Sequence, residues 1–239
     1  MTAPQDRYLI VNADDLGLSA ETNRGIFEAH RHGVVTSASL MVMQSAAADA
    51  LAASRQFPRL SIGLHVDLAE AICERGDWHQ AYERVPLDDP NAVESELRKQ
   101  LAQFRQSVGR DPTHLDSHQN LHHRPALRPV FRRVARELSI PLRGFDPRVQ
   151  HCGRFYGRIK DDIFPEGITV ANLCRIINEL TPGITELSCH PGCDATLVSQ
   201  YAKERLQEVE VLCNPRVRVE LARANVTLVS FADFATIAG

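Results

Sequence analysis

The chain has 239 residues, a net charge of −3, 44% hydrophobic residues and 24% charged residues, as is ordinary for a globular protein with a sizeable core. Its lysines and arginines are spread along the chain, so no nucleic-acid interface is predicted. No run of about 18 apolar residues predicts a membrane-spanning helix. The start, MTAPQDR, does not have the pattern of a signal peptide. We therefore expect a cytoplasmic protein that binds neither nucleic acid nor membrane.

Strand-like and helical patterns alternate along the chain. Ser19 suits the N-cap of a helix that should end at Gly33, a long amphipathic helix from Asn91 should end at Gly109, and Pro125 should open another. The strand-like runs are, in order, YLIVNA, VVTSASLMV, LSIGLHVDL, THLDSH, IPLRGF, ITELSCH and VTLVSF. This alternation predicts one α/β domain over residues 1–239 with a parallel sheet, arranged as a barrel or as a doubly wound sheet.

Two stretches, residues 69–90 and 147–167, lack a regular pattern and are predicted to be long loops. In a domain this regular, long loops are often functional. The cysteines are expected to be reduced thiols of structural or incidental role, because disulfides are rare in leaderless chains and no second cysteine pair supports a zinc site. They lie at positions 73, 152, 174, 189, 193 and 213.

Two adjacent carboxylates, Asp14 and Asp15, follow the apolar run of the first predicted strand. Parallel sheets carry their chemistry at the carboxyl ends of the strands, so both side chains are candidates for a site there. A single Asp at such a point is equally expected as a turn or capping residue. The pair alone is therefore weak evidence for a functional site.

Histidines at the ends of other predicted strands strengthen this interpretation. His65 and Asp67 lie two residues apart in GLHVDL and should face the same way. In THLDSH, the alternating residues His114, Asp116 and His118 should share one face while the strand stays extended. A further histidine, in ELSCHPG, precedes a turn. Each histidine alone is more often structural, but their clustering at strand ends favours a site.

One carboxylate and two imidazoles can hold a divalent metal ion and leave positions open for water and substrate. Such an ion lowers the pKa of its water to about 7 and polarises a carbonyl oxygen. Asp14 and Asp15 suit the roles of base and ligand, and His190 could protonate a leaving amine. The predicted chemistry is metal-assisted hydrolysis.

The motifs IVNADDLGLS, GIFEAHRHGVVTSASLM, IGLHVDL, PTHLDSHQNLH, LRGFD and LSCHPG occur in this order over nearly the whole chain. They resemble the signatures of the YdjC-type carbohydrate deacetylases, the family of chitooligosaccharide deacetylase and the hopanoid-associated HpnK proteins. The resemblance implies a distorted, TIM-like (β/α) barrel, here with about seven parallel strands. It also implies one divalent ion, such as Mg²⁺, Zn²⁺, Mn²⁺ or Co²⁺, and removal of the N-acetyl group from an amino sugar or short oligosaccharide.

Motif by motif, the resemblance assigns a role to five residues of this chain. It makes Asp15, His65 and His118 the metal ligands, Asp14 the base and His190 the acid. The expected partner is a small N-acetylated sugar, and a second copy of the chain in a homodimer is a further expectation.

The resemblance also places a basic residue, Arg143 of LRGFD, near the substrate, and Asp116 joins this predicted set. Asn120 departs from the pattern, because the family usually has His there, and it puts substrate contacts at that point in doubt. From the two irregular stretches, Trp78 and Tyr156 are predicted to stack on the sugar ring. The alternative is that these aromatics only anchor the loops.

Four other functions share some of these sequence features. HVD with a distant His imitates the two-His-one-carboxylate site of non-haem iron oxygenases, but those usually sit on antiparallel jelly rolls. A cysteine hydrolase using Cys189 and His190 fails because neighbours on a strand face opposite sides. A metal-dependent sugar-binding protein without turnover remains an alternative. So does a metal-dependent phosphoesterase on a similar barrel, which would normally assemble more ligands.

Overall fold

The computed structural model describes residues 6–74, 77–159, 162–193 and 201–238. Strands and helices alternate over most of this length, as the sequence predicts. The strands are β1 (Arg7–Leu16), β2 (Ser37–Leu40), β3 (Ser61–Val66), β4 (Ala69–Glu74), β5 (Asp77–Glu83), β6 (Leu115–Ser117), β7 (Val149–Cys152), β8 (Arg158–Ile159), β9 (Asp162–Ile163), β10 (Gly183–Cys189) and β11 (Val226–Val229). The α-helices are α1 (Ala20–Arg31), α2 (Ala47–Ser54), α3 (Pro90–Val108), α4 (Arg128–Glu137), α5 (Val170–Asn178), α6 (Ala202–Leu212), α7 (Pro215–Arg223) and α8 (Phe234–Ile237).

A curved parallel sheet of seven strands organises the fold. Its order is β6-β3-β2-β1-β10-β7, and β11 pairs with the first half of β1, on residues 7–10. All the ladders of this sheet are parallel, so the carboxyl ends of its strands lie at one edge. The predicted α/β fold with about seven parallel strands and a barrel-like sheet is confirmed.

One of the predicted strands is wrong. IPLRGF forms no strand and contributes only an isolated bridge between Leu142 and Leu115. The seventh strand is β7, which lies in a stretch predicted to be a loop. Its side chains alternate poorly in polarity, and it is a strand because β10 supplies its hydrogen-bonding partners.

The two stretches predicted to be irregular contain β-structure. β4 and β5 form an antiparallel hairpin over much of residues 69–90. The stretch 147–167 contains β7 and the short antiparallel pair β8–β9. Hairpin strands that lie outside the main sheet bury few side chains, so the usual apolar alternation of a strand is missing from their sequence.

Helix ends follow the predicted caps in part. Ser19 accepts a hydrogen bond from the backbone N–H of Thr22, and Gly109 adopts φ 78° at the end of α3, as predicted. Gly33 has no left-handed backbone; a Cβ there would lie 2.5 Å from the carbonyl oxygen of Ala29, so close packing requires the glycine. The predicted Pro125 start is wrong, because α4 begins at Arg128.

A single large apolar cluster lies between the sheet and its helices, with smaller packing around Ile10 and Phe231 at the other face of β1. In the described residues no helix is long and apolar enough to cross a membrane. The five cysteines whose side chains are described are free thiols, as predicted. Cys73 falls outside the described side chains.

Candidate functional site

Because β1 is irregular at its end, the side chains of two adjacent carboxylates point into the same cavity. The register of β1 against β2 shifts between Ala13 and Leu16, and Asp15 adopts the left-handed φ of 68°. In a regular strand, Asp14 and Asp15 would face opposite sides of the sheet. Here both line the same cavity while remaining buried. The shift in register therefore allows the adjacent residues Asp14 and Asp15 to face the same bound molecule.

Asp15, His65 and His118 form a group in which one ligand atom from each lies within 4.8 Å of the others. Nδ1 of His118 lies 3.0 Å, and Nε2 of His65 lies 3.3 Å, from Oδ1 of Asp15. All three residues are buried at the carboxyl edge of the sheet. A carboxylate with two imidazoles at this spacing fits a divalent ion such as Zn²⁺, Mn²⁺ or Co²⁺.

The second nitrogen of each histidine faces another carboxylate. Nδ1 of His65 lies 2.7 Å from Oδ1 of Asp116, and Nε2 of His118 lies 2.9 Å from Oε2 of Glu70. Metal-binding histidines usually have such a partner, which orients the ring. The outer carboxylate partners of the two histidines therefore also fit a metal site, as the three ligands do. Glu70 was missed because it lies on β4, in a stretch predicted to be a loop.

Arg205 on α6 is a second residue that the sequence did not single out. Its Nη2 donates to Oδ2 of Asp15 over 2.5 Å, and its Nη1 donates to the carbonyl oxygen of His190. Burial raises the pKa of Asp15, but Arg205 and the two histidines outweigh burial and hold that pKa well below its usual range. Among the many arginines of the chain, no local pattern marks this one.

Asp14 is held by groups behind the cavity. Nη1 of Arg143 donates to Oδ1 of Asp14 over 2.6 Å, and Nδ2 of Asn12 donates to the same oxygen over 2.9 Å. Arg143 also donates to Asp116 and Glu186. Arg143 and Asp116 are buried and do not belong to the cavity wall. The structure therefore places Arg143 against Asp14 and Asp116 against His65. Their contact with substrate stays a prediction.

His190 faces Asp14 from the end of β10. Its Nε2 lies 3.5 Å from Oδ2 of Asp14, and its Nδ1 has no hydrogen-bond partner among the described residues. Burial lowers the pKa of His190, although the nearby Asp14 and Asp15 oppose this effect. The turn after His190 packs tightly on α1, since a Cβ on Gly25 would lie 2.4 Å from Cα of Gly192.

The cavity around these residues has a volume of about 360 Å³. Tyr156 and Tyr201 stack on one side with ring centroids 4.7 Å apart, each 5.6 Å from the His190 ring. Asn120 belongs to another part of the wall. Trp78 is 57% exposed on the hairpin and does not belong to the wall. Of the predicted aromatic contacts, the structure thus places only Tyr156 at the cavity.

Other residues at predicted strand ends serve the framework. Nε2 of His114 lies 2.9 Å from Oγ of Ser39, and burial lowers the pKa of His114 to about 3. Asp67 accepts hydrogen bonds from Tyr82 and Arg84 at the base of the hairpin. The thiol of Cys189 donates to the carbonyl oxygen of Asn12 and is buried, and Cys189 is not among the residues of the cavity wall.

Comparison with known proteins supports the resemblance seen in the motifs. A carbohydrate deacetylase from Geobacillus stearothermophilus is 33% identical over 241 residues, which cover 95% of this chain and 98% of the relative. A chitooligosaccharide deacetylase from Serratia marcescens is 34% identical over 259 residues, covering 95% and 99%.

A crystal structure of an Enterococcus faecalis V583 protein, described as a proposed cellobiose-phosphate cleavage protein, superposes with a TM-score of 0.78. It is 27% identical and covers 96% of this chain and 99% of its own. The family model described as YdjC-like protein matches residues 8–223. This chain belongs to the YdjC-like protein family.

Proposed function

We propose that this protein is a metal-dependent hydrolase that removes the N-acetyl group from an amino sugar or a short N-acetylated oligosaccharide. The observation that carries the proposal is the opposition of Asp14 and His190, 3.5 Å apart, in the same cavity as the group of Asp15, His65 and His118. The names of the carbohydrate deacetylase relatives support the same reaction.

Asp15, His65 and His118 would hold the divalent ion. When bound there, the ion supplies a water of lowered pKa and polarises the acetamide carbonyl. Arg205 bonds to Oδ2 of Asp15 and leaves Oδ1 directed at the two histidines. The ligand set offers one carboxylate oxygen and two imidazole nitrogens, so positions for water and substrate stay open. Of the four predicted ions, Mg²⁺ suits this ligand set least.

Asp14 takes the proton of the attacking water. Its Oδ1 accepts hydrogen bonds from Arg143 and Asn12, so its orientation is held while Oδ2 stays on the side of His190. Arg143 is itself held by Glu186, whose buried carboxylate accepts from two of its nitrogens. This network keeps a base in place in a buried site, where an unsupported carboxylate would be costly.

His190 delivers a proton to the leaving nitrogen when the carbon–nitrogen bond breaks. Amide hydrolysis needs one proton to move from water to the amine, and Asp14 lies beside His190 to supply it. The lowered pKa of His190 favours release of that proton. Acetic acid and the free amine are the products, which ionise to acetate and the ammonium form at neutral pH, and no further reactant is needed.

Tyr156 is proposed as the platform for the sugar ring, because its exposed side chain lines the cavity wall and is held by the stacked ring of Tyr201. Asn120 is proposed as a polar contact of the sugar at the cavity wall. Trp78 reaches the sugar only if a longer oligosaccharide extends beyond the cavity. Homodimer formation and a cytoplasmic location stay predictions.

A phosphoesterase is less well supported. Phosphoesterases of similar chemistry assemble two or three metal ions, whereas the described residues contain one group of three suitable ligands. A sugar-binding protein without turnover would not need the paired Asp14 and His190.

The test is acetate release by the metal-loaded protein from N-acetylglucosamine, di-N-acetylchitobiose and their phosphorylated forms. Zn²⁺, Mn²⁺, Co²⁺ and Mg²⁺ are supplied separately, and His65→Ala is the inactive control. Release from at least one sugar that requires both the metal and His65 is expected. Binding of these sugars without any acetate release would favour the sugar-binding alternative, and phosphate release would favour the phosphoesterase.

A further inference from the structure

Both ring nitrogens of His118 face a carboxylate. Nδ1 lies 3.0 Å from Oδ1 of Asp15, within the group proposed to hold the metal, and Nε2 lies 2.9 Å from Oε2 of Glu70. The two side chains are 9% and 24% exposed, so water screens their interaction only in part. Glu70 therefore lies on the outer side of the ligand, as Asp116 does for His65.

A neutral imidazole carries one proton, and the nitrogen that binds a metal must be free of it. An ionised carboxylate can only accept a hydrogen bond. When the ion is bound, the proton of His118 is therefore held on Nε2 opposite Glu70, which leaves the lone pair of Nδ1 for the ion beside Asp15. Opposite Asp116, the proton of His65 is held on Nδ1, which leaves Nε2 free. The two histidines thus present different ring nitrogens to the same point.

The hairpin that carries Glu70 is attached next to His118. Gln119 accepts a hydrogen bond from the backbone N–H of Ala71 over 3.0 Å and donates to the carbonyl oxygen of Ala71 over 2.7 Å. Its side-chain amide thereby pairs with the backbone N–H and C=O of one β4 residue, as the backbone of a neighbouring strand would. Gln119 directly follows His118 and adopts the left-handed φ of 50°. Two consecutive residues, His118 and Gln119, therefore contact two consecutive residues of the hairpin, Glu70 and Ala71.

A second attachment lies at the base of the hairpin. Tyr82 lies opposite Glu70 in the register of the hairpin. Its hydroxyl donates a hydrogen bond to Oδ1 of Asp67 over 2.7 Å. Nη2 of Arg84 donates to Oδ2 of Asp67 over 2.6 Å, and Asp67 is fully buried. Glu70 thus extends from a hairpin that is held both at its base and beside the ligand.

We propose that Glu70 is a positioning residue of the metal centre. Its carboxylate keeps the proton of His118 on Nε2 and so directs Nδ1 to the ion. The β4–β5 hairpin is then part of the metal site as well as part of the cavity wall. The proposal shares one assumption with the proposed function, namely that Asp15, His65 and His118 hold a divalent ion, and it does not depend on the reaction.

The test compares Glu70→Gln with Asp77→Asn by titration of the metal-free proteins with Zn²⁺. Both variants lose one negative charge from the same hairpin, but Asp77 lies at its far end, paired with Glu74. Loss of an outer partner of a metal-bound histidine typically weakens metal affinity about 10- to 100-fold. Glu70→Gln is expected to show this loss, and Asp77→Asn is expected to bind Zn²⁺ like the wild type.

A spectroscopic measurement on the unaltered protein tests the same proposal without any variant. Long-range ¹H–¹⁵N spectra of the zinc-loaded wild type should show His118 bound through Nδ1 with its proton on Nε2. Binding of zinc through Nε2, or wild-type zinc affinity of Glu70→Gln, would overturn the proposal. If the zinc results are as expected and no sugar is deacetylated, the proposed function fails and the role of Glu70 stands.

Discussion

Arg205 and Asp15 form a buried ion pair of 2.5 Å between Nη2 and Oδ2, although 190 residues of chain separate them. Both side chains are at most 6% exposed. Removing one partner of such a pair leaves an uncompensated charge and typically costs about 3–5 kcal/mol. Arg205→Met should therefore lower the free energy of unfolding on that order, as measured by urea denaturation in the presence of a chelator.

Arg133→Met is the matched control, because Arg133 pairs with Glu94 on the exposed side of the molecule. Exposed pairs contribute much less to stability than buried ones. Equal losses for the two variants would show that the Arg205–Asp15 pair has no special importance.

The second prediction concerns the metal. His65→Ala removes one of three proposed ligands and should leave the purified protein with little bound metal, while its circular dichroism spectrum stays like that of the wild type. Metal analysis of the dialysed proteins is the measurement. His32→Ala serves as the control, since the His32 side chain is 57% exposed on the surface after α1. Wild-type metal content in His65→Ala would remove His65 from the ligand set.

The third prediction separates the base from the ligands. Asp14→Asn keeps the shape of the side chain but cannot accept the proton of water. Turnover should fall by about 10²–10⁴, the usual scale of general acid–base catalysis, with metal content unchanged. Acetate release and metal analysis on the same preparation are the measurements. Near-normal turnover would exclude Asp14 as the base, and loss of metal would make it a ligand.

The fourth prediction compares two aromatic residues that were both predicted from the sequence to stack on the sugar ring. Tyr156→Ala should raise KM or lower kcat/KM for a short N-acetylated sugar, because its ring lines the cavity. Trp78→Ala should leave both constants unchanged for the same sugar, since Trp78 lies outside the wall. If only the melting temperature of Tyr156→Ala changes, then the ring is a structural anchor and the sugar is held elsewhere.

The fifth prediction concerns Glu208, a fully buried carboxyl on α6. It accepts hydrogen bonds from the backbone N–H of His190 and from the hydroxyl of Tyr201. Burial raises the pKa of Glu208 from 4.5 to about 8, despite these hydrogen bonds. Between these values the folded protein holds a proton that the unfolded chain has released. The free energy of unfolding should therefore fall as the pH rises through this window and level off above it.

Glu208→Gln cannot titrate and should lose this component of the pH dependence, which amounts to ~1.4 kcal/mol for each unit of pKa shift. The measurement is the free energy of unfolding of both proteins at several pH values from 5 to 8. The slope is compared and not the absolute stability, because an amide also alters the hydrogen bonds to His190 and Tyr201. Identical slopes would show that Glu208 titrates normally.

The sequence by itself determined the strand-and-helix alternation and most of the residues that meet at the site. Apolar runs that end in Asp or His are local patterns, and the carboxyl ends of parallel strands necessarily lie at one edge of the sheet. For this reason Asp15, His65 and His118 could be placed together before any contact between them was known. The assignment of individual roles came from the resemblance of the motifs to a family.

Only the tertiary structure decided how these side chains are oriented and what supports them. Asp14 and Asp15 line one cavity because of a register shift against β2, which depends on a neighbouring strand. Glu70 reaches the site from a hairpin and is 48 residues away from its partner His118 in the sequence. Arg205 reaches it from a helix and is 190 residues away from its partner Asp15. Arg143 lies behind Asp14 and outside the cavity wall, because buried acceptors surround its guanidinium. Contacts across such separations depend on how whole elements pack, and no local pattern of residues records them.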